Sequence, residues 1–281
     1  LKNNRSKKID LHDELFLLIN TSGTTGSSKL VKLSYNNVEH NSKNIINFLK
    51  INSSHTTITT LPFSYVYGLS IINTHFLKGA SIILNTDSML QKSFWNKFIK
   101  FRVNSFGGVP YTYELLNKID FYSKDLSNLI YTTHAGGKLN TEVWNKINFN
   151  YKNLGIKFYS MYGASEATAR MSYLPWKFSS KKIGSIGKAI NEGTFLLKDK
   201  NYKNINKNYK NGNLYYKGEN VFIGYANNIK DLLVKDNNNS ILNTGDRAYK
   251  NKDNFYYVIG RADNYVKING HRVNLSEIEN K

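Results

Sequence analysis

Leu15-Phe-Leu-Leu-Ile19 runs directly into Asn20-Thr-Ser-Gly-Thr-Thr-Gly-Ser-Ser-Lys29, and Ser34 then opens a helical pattern with apolar positions at Val38, Ile45, Ile46, Phe48 and Leu49. The first run is short, apolar and bounded by turn formers, which suits a buried strand. Residues 21 to 28 are all Ser, Thr or Gly. Glycines let backbone N–H groups approach a polyphosphate, hydroxyls donate to it, and Lys29 offsets its charge. The run is not a Walker A loop, because Ser28 precedes Lys29 and Leu30 follows it, where Gly and Ser or Thr would be required. Taken alone, it also suits a polar surface loop.

The same alternation continues outward from this stretch. Strand candidates are Leu15–Ile19, Thr57–Leu61, Ser81–Leu84, Ser105–Val109, Leu129–Thr133 and Ile156–Ser160, with helical patterns near 34–50, 67–78, 90–102, 111–118 and 140–148. Strands alternating with helices at this spacing predict an α/β fold with a mostly parallel sheet layered by helices. Ligands of such sheets sit at the carboxyl ends of strands. The Gly/hydroxyl loop, Ala135-Gly-Gly137 and Tyr162-Gly163 each follow a strand candidate in that way. Beyond residue 180 the apolar runs shorten to Thr194–Leu197, Leu214–Tyr216, Val221–Ile223, Phe255–Ile259 and Tyr265–Ile268, separated by Gly, Asn and Asp, which predicts an antiparallel β subdomain. Ser276-Glu-Ile-Glu279 has the form of a helix start.

Composition narrows the function classes. The chain has 281 residues, 40% of them hydrophobic, enough for a sizeable core. No run approaches the ~18 apolar residues of a membrane span, and Leu1–Lys8 lacks the apolar centre of a signal peptide. The absence of Cys excludes disulfides, thiolate catalysis and thiolate metal sites. These features predict a cytoplasmic protein. The net charge of +19 is spread among Asn-rich segments such as Asn201–Asn211 and forms no basic helix, so no specific nucleic-acid partner is expected. Part of that charge can attract anionic substrates. None of the six histidines shows metal-ligand spacing.

Six segments stand in a familiar order. After Thr21–Lys29 come Met161-Tyr-Gly-Ala-Ser-Glu166, Gly212-Asn-Leu-Tyr-Tyr-Lys-Gly218 with Gly224-Tyr225, Asn243-Thr-Gly-Asp-Arg247, Gly260-Arg-Ala-Asp263 with Lys267-Ile-Asn-Gly-His-Arg272, and Glu277-Ile-Glu279. Together they resemble the signature motifs of the adenylate-forming (AMP-binding) superfamily, which includes acyl-CoA and aryl-CoA synthetases, luciferases and the adenylation domains of peptide synthetases. The resemblance covers essentially the whole chain. It implies a two-step reaction using ATP and Mg²⁺. A small-molecule carboxylate is first converted to an acyl-adenylate with release of pyrophosphate. The acyl group then passes to a thiol, either of CoA or of phosphopantetheine on an acyl carrier protein.

The resemblance also implies residue roles. Thr21, Ser22, Gly23, Thr24, Thr25, Gly26 and Lys29 would cradle the β and γ phosphates. Family members commonly carry Pro before this Lys and Gly after it, so Ser28 and Leu30 are departures that bear on loop stiffness and closure. Tyr162, with Gly163 beside it, matches the aromatic that stacks on adenine. Ser165 matches a hydroxyl near the α-phosphate, and Glu166 the Mg²⁺ ligand. Gly136, Gly137 and Lys138 fall where the backbone passes the adenine and the acyl carbonyl. Asp246 matches the carboxylate that accepts both ribose hydroxyls, and Arg261 an Arg that reaches the ribose or phosphate. Asp263 matches the hinge of a small C-terminal domain, and Lys267, Gly270 and Arg272 the segment that faces the thiol tunnel. The family's C-terminal catalytic Lys would lie beyond Lys281, and a first segment of the large domain before Leu1. Residues 1–180 would then be the nucleotide- and acyl-binding core, 181–262 a β-rich subdomain of the same large domain, and 263–281 the hinge and the start of a truncated C-terminal domain. Such a fragment is expected to adenylate poorly alone.

The acyl pocket implied by the family lies between the segment after Leu61-Pro62 and the segment around Gly136. Tyr65, Tyr67, Gly68, His134, Ala135 and Gly136 line it, which suits an aryl or modest aliphatic acid. Tyr65 stands where many acyl-CoA synthetases carry His. His134 is either a polar pocket group or a packed strand residue. Amino-acid-activating relatives place an Asp in the first segment, and no acid occurs from Leu61 to Gly79. An unpaired buried ammonium would be costly, which weighs against an α-amino acid. An amino-acid or hydroxy-acid adenylation enzyme and a non-catalytic nucleotide-binding relative remain the alternatives. The joint presence of Lys29, Glu166, Asp246 and Arg261 argues against the latter, since a decayed relative needs none of them.

Overall fold

A computed structural model describes residues 11–20, 29–235 and 238–262, together with the backbone of strands Tyr265–Ile268 and His271–Asn274. The chain begins with β1 (Leu15–Asn20) and β2 (Leu30–Ser34), an antiparallel pair. Ser34 caps α1 (Tyr35–Leu49): its Oγ accepts from the Asn37 N–H at 3.1 Å, and Asn37 Oδ1 accepts from the Ser34 N–H at 3.0 Å. Then follow β3 (Thr56–Ile58), α2 (Val66–Leu77), β4 (Ser81–Ile83), α3 (Lys92–Lys100), β5 (Ser105–Gly108), α4 (Pro110–Lys118), β6 (Tyr131–His134), α5 (Thr141–Leu154) and β7 (Lys157–Tyr162).

These strands build a seven-stranded sheet in the order β4-β3-β5-β6-β7-β8-β9, whose last two members are β8 (Ser172–Leu174) and β9 (Lys188–Ala189). The pairs from β4 to β7 are parallel; β8 and β9 extend the edge antiparallel. Successive residues of a strand point to opposite faces, so each strand feeds two helical layers. Phe106, Phe158 and His134 face α3, α4 and α5, among Phe94, Phe98, Tyr113, Trp144 and Tyr151. Tyr131 and Tyr159 face the other way, packing with Ile45, Ile46 and Leu49 of α1. Each fully buried aromatic of this kind stabilises the fold by roughly 1.5–3 kcal/mol.

The remaining strands are β10 (Thr194–Lys198), β11 (Gly212–Lys217), β12 (Gly224–Ala226), β13 (Ile241–Lys250), β14 (Tyr256–Arg261), β15 (Tyr265–Ile268) and β16 (His271–Asn274). A four-stranded antiparallel sheet runs β10-β11-β13-β14, and β15 pairs with β16. Strand β12 pairs with β2 from the other end of the chain, making the sheet β1-β2-β12. Its core joins Val31 and Leu33 to Phe195, Leu214, Tyr216 and Phe222. No helix among the described residues is long and apolar enough to cross a membrane.

Two expectations are corrected. The strand leading into the Gly/hydroxyl loop is not a member of the parallel sheet but of the antiparallel β1-β2-β12 sheet. The cause is β2, five residues that turn straight back along β1 and whose apolar signal is interrupted by Lys32. Lys32 is nonetheless fully buried, because its Nζ donates to the Asp231 and Val234 carbonyls at 2.8 and 2.7 Å. Val221–Ile223 is not a strand; it turns into β12 and is held by the Asn37 side-chain amide, which donates to the Val221 carbonyl at 2.9 Å.

Candidate nucleotide and acyl site

Two clusters form from residues far apart in sequence. Around Glu166, just after β7, the Tyr225 hydroxyl donates to Oε1 at 2.9 Å, and the Phe222 N–H donates to the Glu166 carbonyl at 2.8 Å. Tyr225 stands on β12, which pairs with β2, so the residue just before β2 arrives at the same place: Lys29 Nζ lies 5.7 Å from the centre of the Tyr225 ring. Burial, followed by the Glu166 charge, pushes the Tyr225 phenol up and keeps it a donor. Among the described residues no three potential metal ligands cluster. A lone carboxylate such as Glu166 fits Mg²⁺, which keeps several waters and takes phosphate oxygens as its other ligands.

The second cluster comes from a bulge in β13. Residues 244 to 246 bow out opposite Leu214, since the pairing jumps from Asn213↔Arg247 to Tyr215↔Asn243. Thr244 Oγ1 donates to the Leu214 carbonyl at 2.8 Å and accepts from the Asp246 N–H at 3.1 Å. Bulges re-aim side chains in this way. Asp246 pairs directly across with Arg261 of β14, whose Nη1 donates to Asp246 Oδ1 at 3.2 Å and to the Thr244 carbonyl at 3.1 Å. From β7, the Tyr162 hydroxyl donates to the other oxygen, Asp246 Oδ2. Burial, then the Asp246 charge, holds the Tyr162 phenol well above its ordinary range. Asp246 is 8% exposed, so its charge stays inside a low-dielectric wall with two partners.

The loops after β6 and β7 form the rim. Gly136 has φ +86, and a Cβ there would lie 2.7 Å from Tyr65 Oη. Gly137 and Lys138 are exposed beside it. Gly163 and Ser165 are half-buried between the two clusters' anchor points, Tyr162 and Glu166. Thr21, Ser22, Gly23, Thr24, Thr25 and Gly26 lie outside the described residues, as do Asp263 and Gly270. Lys267 and Arg272 are cross-strand partners in β15 and β16, and only their backbone is described.

Tyr65, Tyr67, Ala135 and Gly136 come together: Tyr65 and Tyr67 meet edge-on at 6.1 Å, and Tyr67 packs with Ala135 and Met161. Gly68 closes the other side of α2, where a Cβ would lie 2.3 Å from the Pro62 carbonyl oxygen. The structure answers the open question at His134, which does not line this pocket. Its ring lies on the opposite face of the sheet, against Tyr113, Trp144 and Phe158, with Nδ1 3.3 Å from Ser160 Oγ. Burial pushes its pKa from 6.5 to about 3. His75 on α2 is similarly pushed to about 4, first by burial. Both histidines stay neutral when folded and regain an ordinary pKa when unfolded. Their contribution is therefore fully present above pH 6.5 and is lost as pH falls toward 4 for His75 and 3 for His134. The denaturant midpoint should fall between pH 7 and pH 5, and a His134→Phe variant should show a shallower fall.

Two partners in the site escape sequence reading. Tyr225 belongs to a recognisable Gly-Tyr pair, but only the β2–β12 pairing brings it to Glu166. Arg170 follows Glu166 by four residues and ends up buried against Tyr67, 3.9 Å from the ring centre. A basic residue at the entry to a buried strand is the signal that could have marked it.

Comparison with known proteins bears on the family and the fold. A family model described as AMP-binding enzyme matches residues 2–226. A probable 4-coumarate–CoA ligase of Dictyostelium discoideum is 28% identical over 277 residues, covering 97% of this chain and 49% of that protein. An oxalate–CoA ligase of Saccharomyces cerevisiae is 25% identical over 270 residues, covering 95% of this chain and 48% of that protein. In structure, the o-succinylbenzoate CoA synthetase of Bacillus subtilis in complex with ATP and magnesium superposes with a TM-score of 0.80 at 22% identity, over 94% of this chain and 53% of that one. At that identity the likeness speaks for the fold. The chain spans about half the length of the curated relatives it matches.

Proposed function

The chain belongs to the AMP-binding enzyme family, and from that premise we propose that it serves ATP-dependent activation of a small carboxylic acid, followed by transfer of the acyl group to a thiol. One observation carries the reading: Lys29, Glu166 and Tyr225 on one side and Tyr162, Asp246 and Arg261 on the other converge around the loop after β7. Polar residues without a shared ligand have no physical reason to converge so, since burying a carboxylate such as Asp246 costs desolvation.

The chemistry assigns the work as follows. A carboxylate oxygen attacks the α-phosphorus of ATP, the bond to pyrophosphate breaks, and an acyl-adenylate results. Asp246 accepts from the ribose hydroxyls, and Arg261, donating to Oδ1 at 3.2 Å, holds the carboxylate in place. Tyr162 offers its ring to the adenine while its hydroxyl stays on Asp246, so base and ribose recognition are mechanically joined. Mg²⁺, when bound, neutralises charge on the phosphate oxygens. Glu166 would supply its carboxylate to that ion, and Tyr225, donating to Oε1, fixes the carboxylate's orientation. Lys29 and the hydroxyls of Thr21, Ser22, Thr24 and Thr25 donate to the β and γ phosphates. Preorganised donors and charges of this type are the dominant source of catalysis in phosphoryl-group chemistry. In the second step a thiol sulfur attacks the acyl carbonyl, AMP leaves and the thiol proton is lost.

Several relatives are named for joining an acid to CoA, which supports CoA as the acceptor. Phosphopantetheine on an acyl carrier protein presents the same thiol. Asp246→Ala tests the nucleotide assignment in the protein at its full natural length. The ATP KM should rise about 10- to 100-fold, as expected for the loss of hydrogen bonds to a charged group, with a smaller change in the KM for the acid. An unchanged ATP KM would remove Asp246 from the ribose site.

A further inference from the structure

Arg170 is 2% exposed, yet among the described residues no carboxylate reaches its guanidinium. Its Nε donates to Met161 Sδ at 3.2 Å and its Nη1 to the Ala169 carbonyl at 3.2 Å. Sulfur is a weak acceptor, so most of the five donors of the fork lack a strong partner. The groups nearest in charge terms are the phenols of Tyr67 and Tyr65, and the guanidinium centre stands 3.9 Å from the Tyr67 ring centre. Stacking on an aromatic face offsets part of the desolvation of an arginine. It does not replace an anion, and arginine does not escape the cost by losing its proton.

The backbone is built to put the side chain there. Thr168 and Ala169 both have positive φ, at 53° and 94°, a conformation that L-residues adopt only at a cost of about 1–3 kcal/mol each. The Asn41 and Asn220 side-chain amides both donate to the Arg170 carbonyl, at 2.7 and 2.9 Å, and pin the strained segment. Arg170 then lines a small cavity of about 20 Å³ with Thr133, Ser105 and His75. That is room for about one water or a comparable acceptor. Ser105 Oγ and Tyr131 Oη, at the same cavity, are buried without completing a hydrogen bond. Tyr67, on which the guanidinium stacks, meets Tyr65 edge-on, and Tyr65 Oη lies against the rim at Gly136.

We propose that Arg170 binds the far carboxylate of a dicarboxylic acid, whose near carboxylate is the one activated. This rests on the carboxylate-activating function proposed above and names its substrate class. A planar fork pairs with a carboxylate through two parallel hydrogen bonds, and the anion completes a cation that has no counterion among the described residues. The same cation repels the ammonium of an amino acid and leaves a methyl terminus facing unpaired donors, so both are rejected.

The test measures pyrophosphate release by the protein at its full natural length, with succinate, glutarate and adipate against butyrate, valerate and hexanoate. The wild type should prefer the best diacid over its methyl-terminated counterpart by about 100-fold or more in kcat/KM. Arg170→Met should abolish that preference with the ATP KM unchanged, and Arg170→Lys should retain part of it. Equal or better turnover of the monocarboxylates by the wild type would overturn the assignment whether or not the variants fold. Should no acid release pyrophosphate, titration calorimetry of the same diacids separates the two ideas. Binding by the wild type that Arg170→Lys weakens keeps the site and sinks the activity; no binding sinks the site as well.

Discussion

Glu166→Gln should lower Mg²⁺-dependent pyrophosphate release by about 100- to 1,000-fold, the scale seen when one preorganised charge-stabilising group is removed. Gln keeps the size of the side chain and can still accept from the Tyr225 hydroxyl, which now donates to Oε1 at 2.9 Å. The variant therefore tests charge rather than packing. The loss should be partly relieved by raising Mg²⁺, because the phosphate oxygens remain as ligands. Tyr225→Phe should cost less, since it frees the carboxylate without neutralising it. Steady-state rates across a Mg²⁺ series check this, and normal kcat in Glu166→Gln would take the metal away from this residue.

Gly163→Ala should have the largest effect on folding. A Cβ at that position would lie 1.7 Å from the Ala169 carbonyl oxygen and 2.5 Å from its carbon. Both are backbone atoms, and the Ala169 N–H is already committed to the Ala164 carbonyl at 3.2 Å. No rotamer change relieves such a contact. A destabilisation of about 3 kcal/mol or more is expected from forced overpacking against backbone, which corresponds to a fall in Tm of about 6–12 °C for a domain of this size. Thermal unfolding reads it directly. Since the same loop carries Tyr162, Glu166 and Arg170, the surviving folded fraction should also bind nucleotide poorly.

Much of this was legible in the sequence, and the reasons for the rest are physical. The parallel sheet followed from apolar runs that each carry enough residues to show their period, and the Ser34 cap marked the start of α1 to the residue. Strands β8 and β9 have three and two residues, too few for any periodic signal. Strand β2 was hidden by Lys32, whose burial depends on two carbonyls about two hundred residues away. At the site, Tyr162, Glu166, Asp246 and Arg261 were named from their motifs, but not that the Tyr162 hydroxyl bonds Asp246. That contact exists only because a bulge in β13 turns Asp246 toward β7. His134 shows the limit of position alone: the strand places it beside the pocket, and the alternation of faces points it away. Arg170 was missed because an arginine in sequence reads as surface, and only the fold buries it.

The proposed chemistry of this site is activation of a carboxylate with ATP. The most direct measurement is pyrophosphate release by the protein at its full natural length, with ATP and Mg²⁺ and no thiol present, across aryl, short-chain, medium-chain, dicarboxylic and amino acids. Release that depends on the acid, strongest for a non-amino acid and stoichiometric with an acyl-adenylate in the absence of thiol, is the predicted result. ATP binding without acid-dependent release from any member of the panel would contradict it and leave a nucleotide-binding protein without this chemistry.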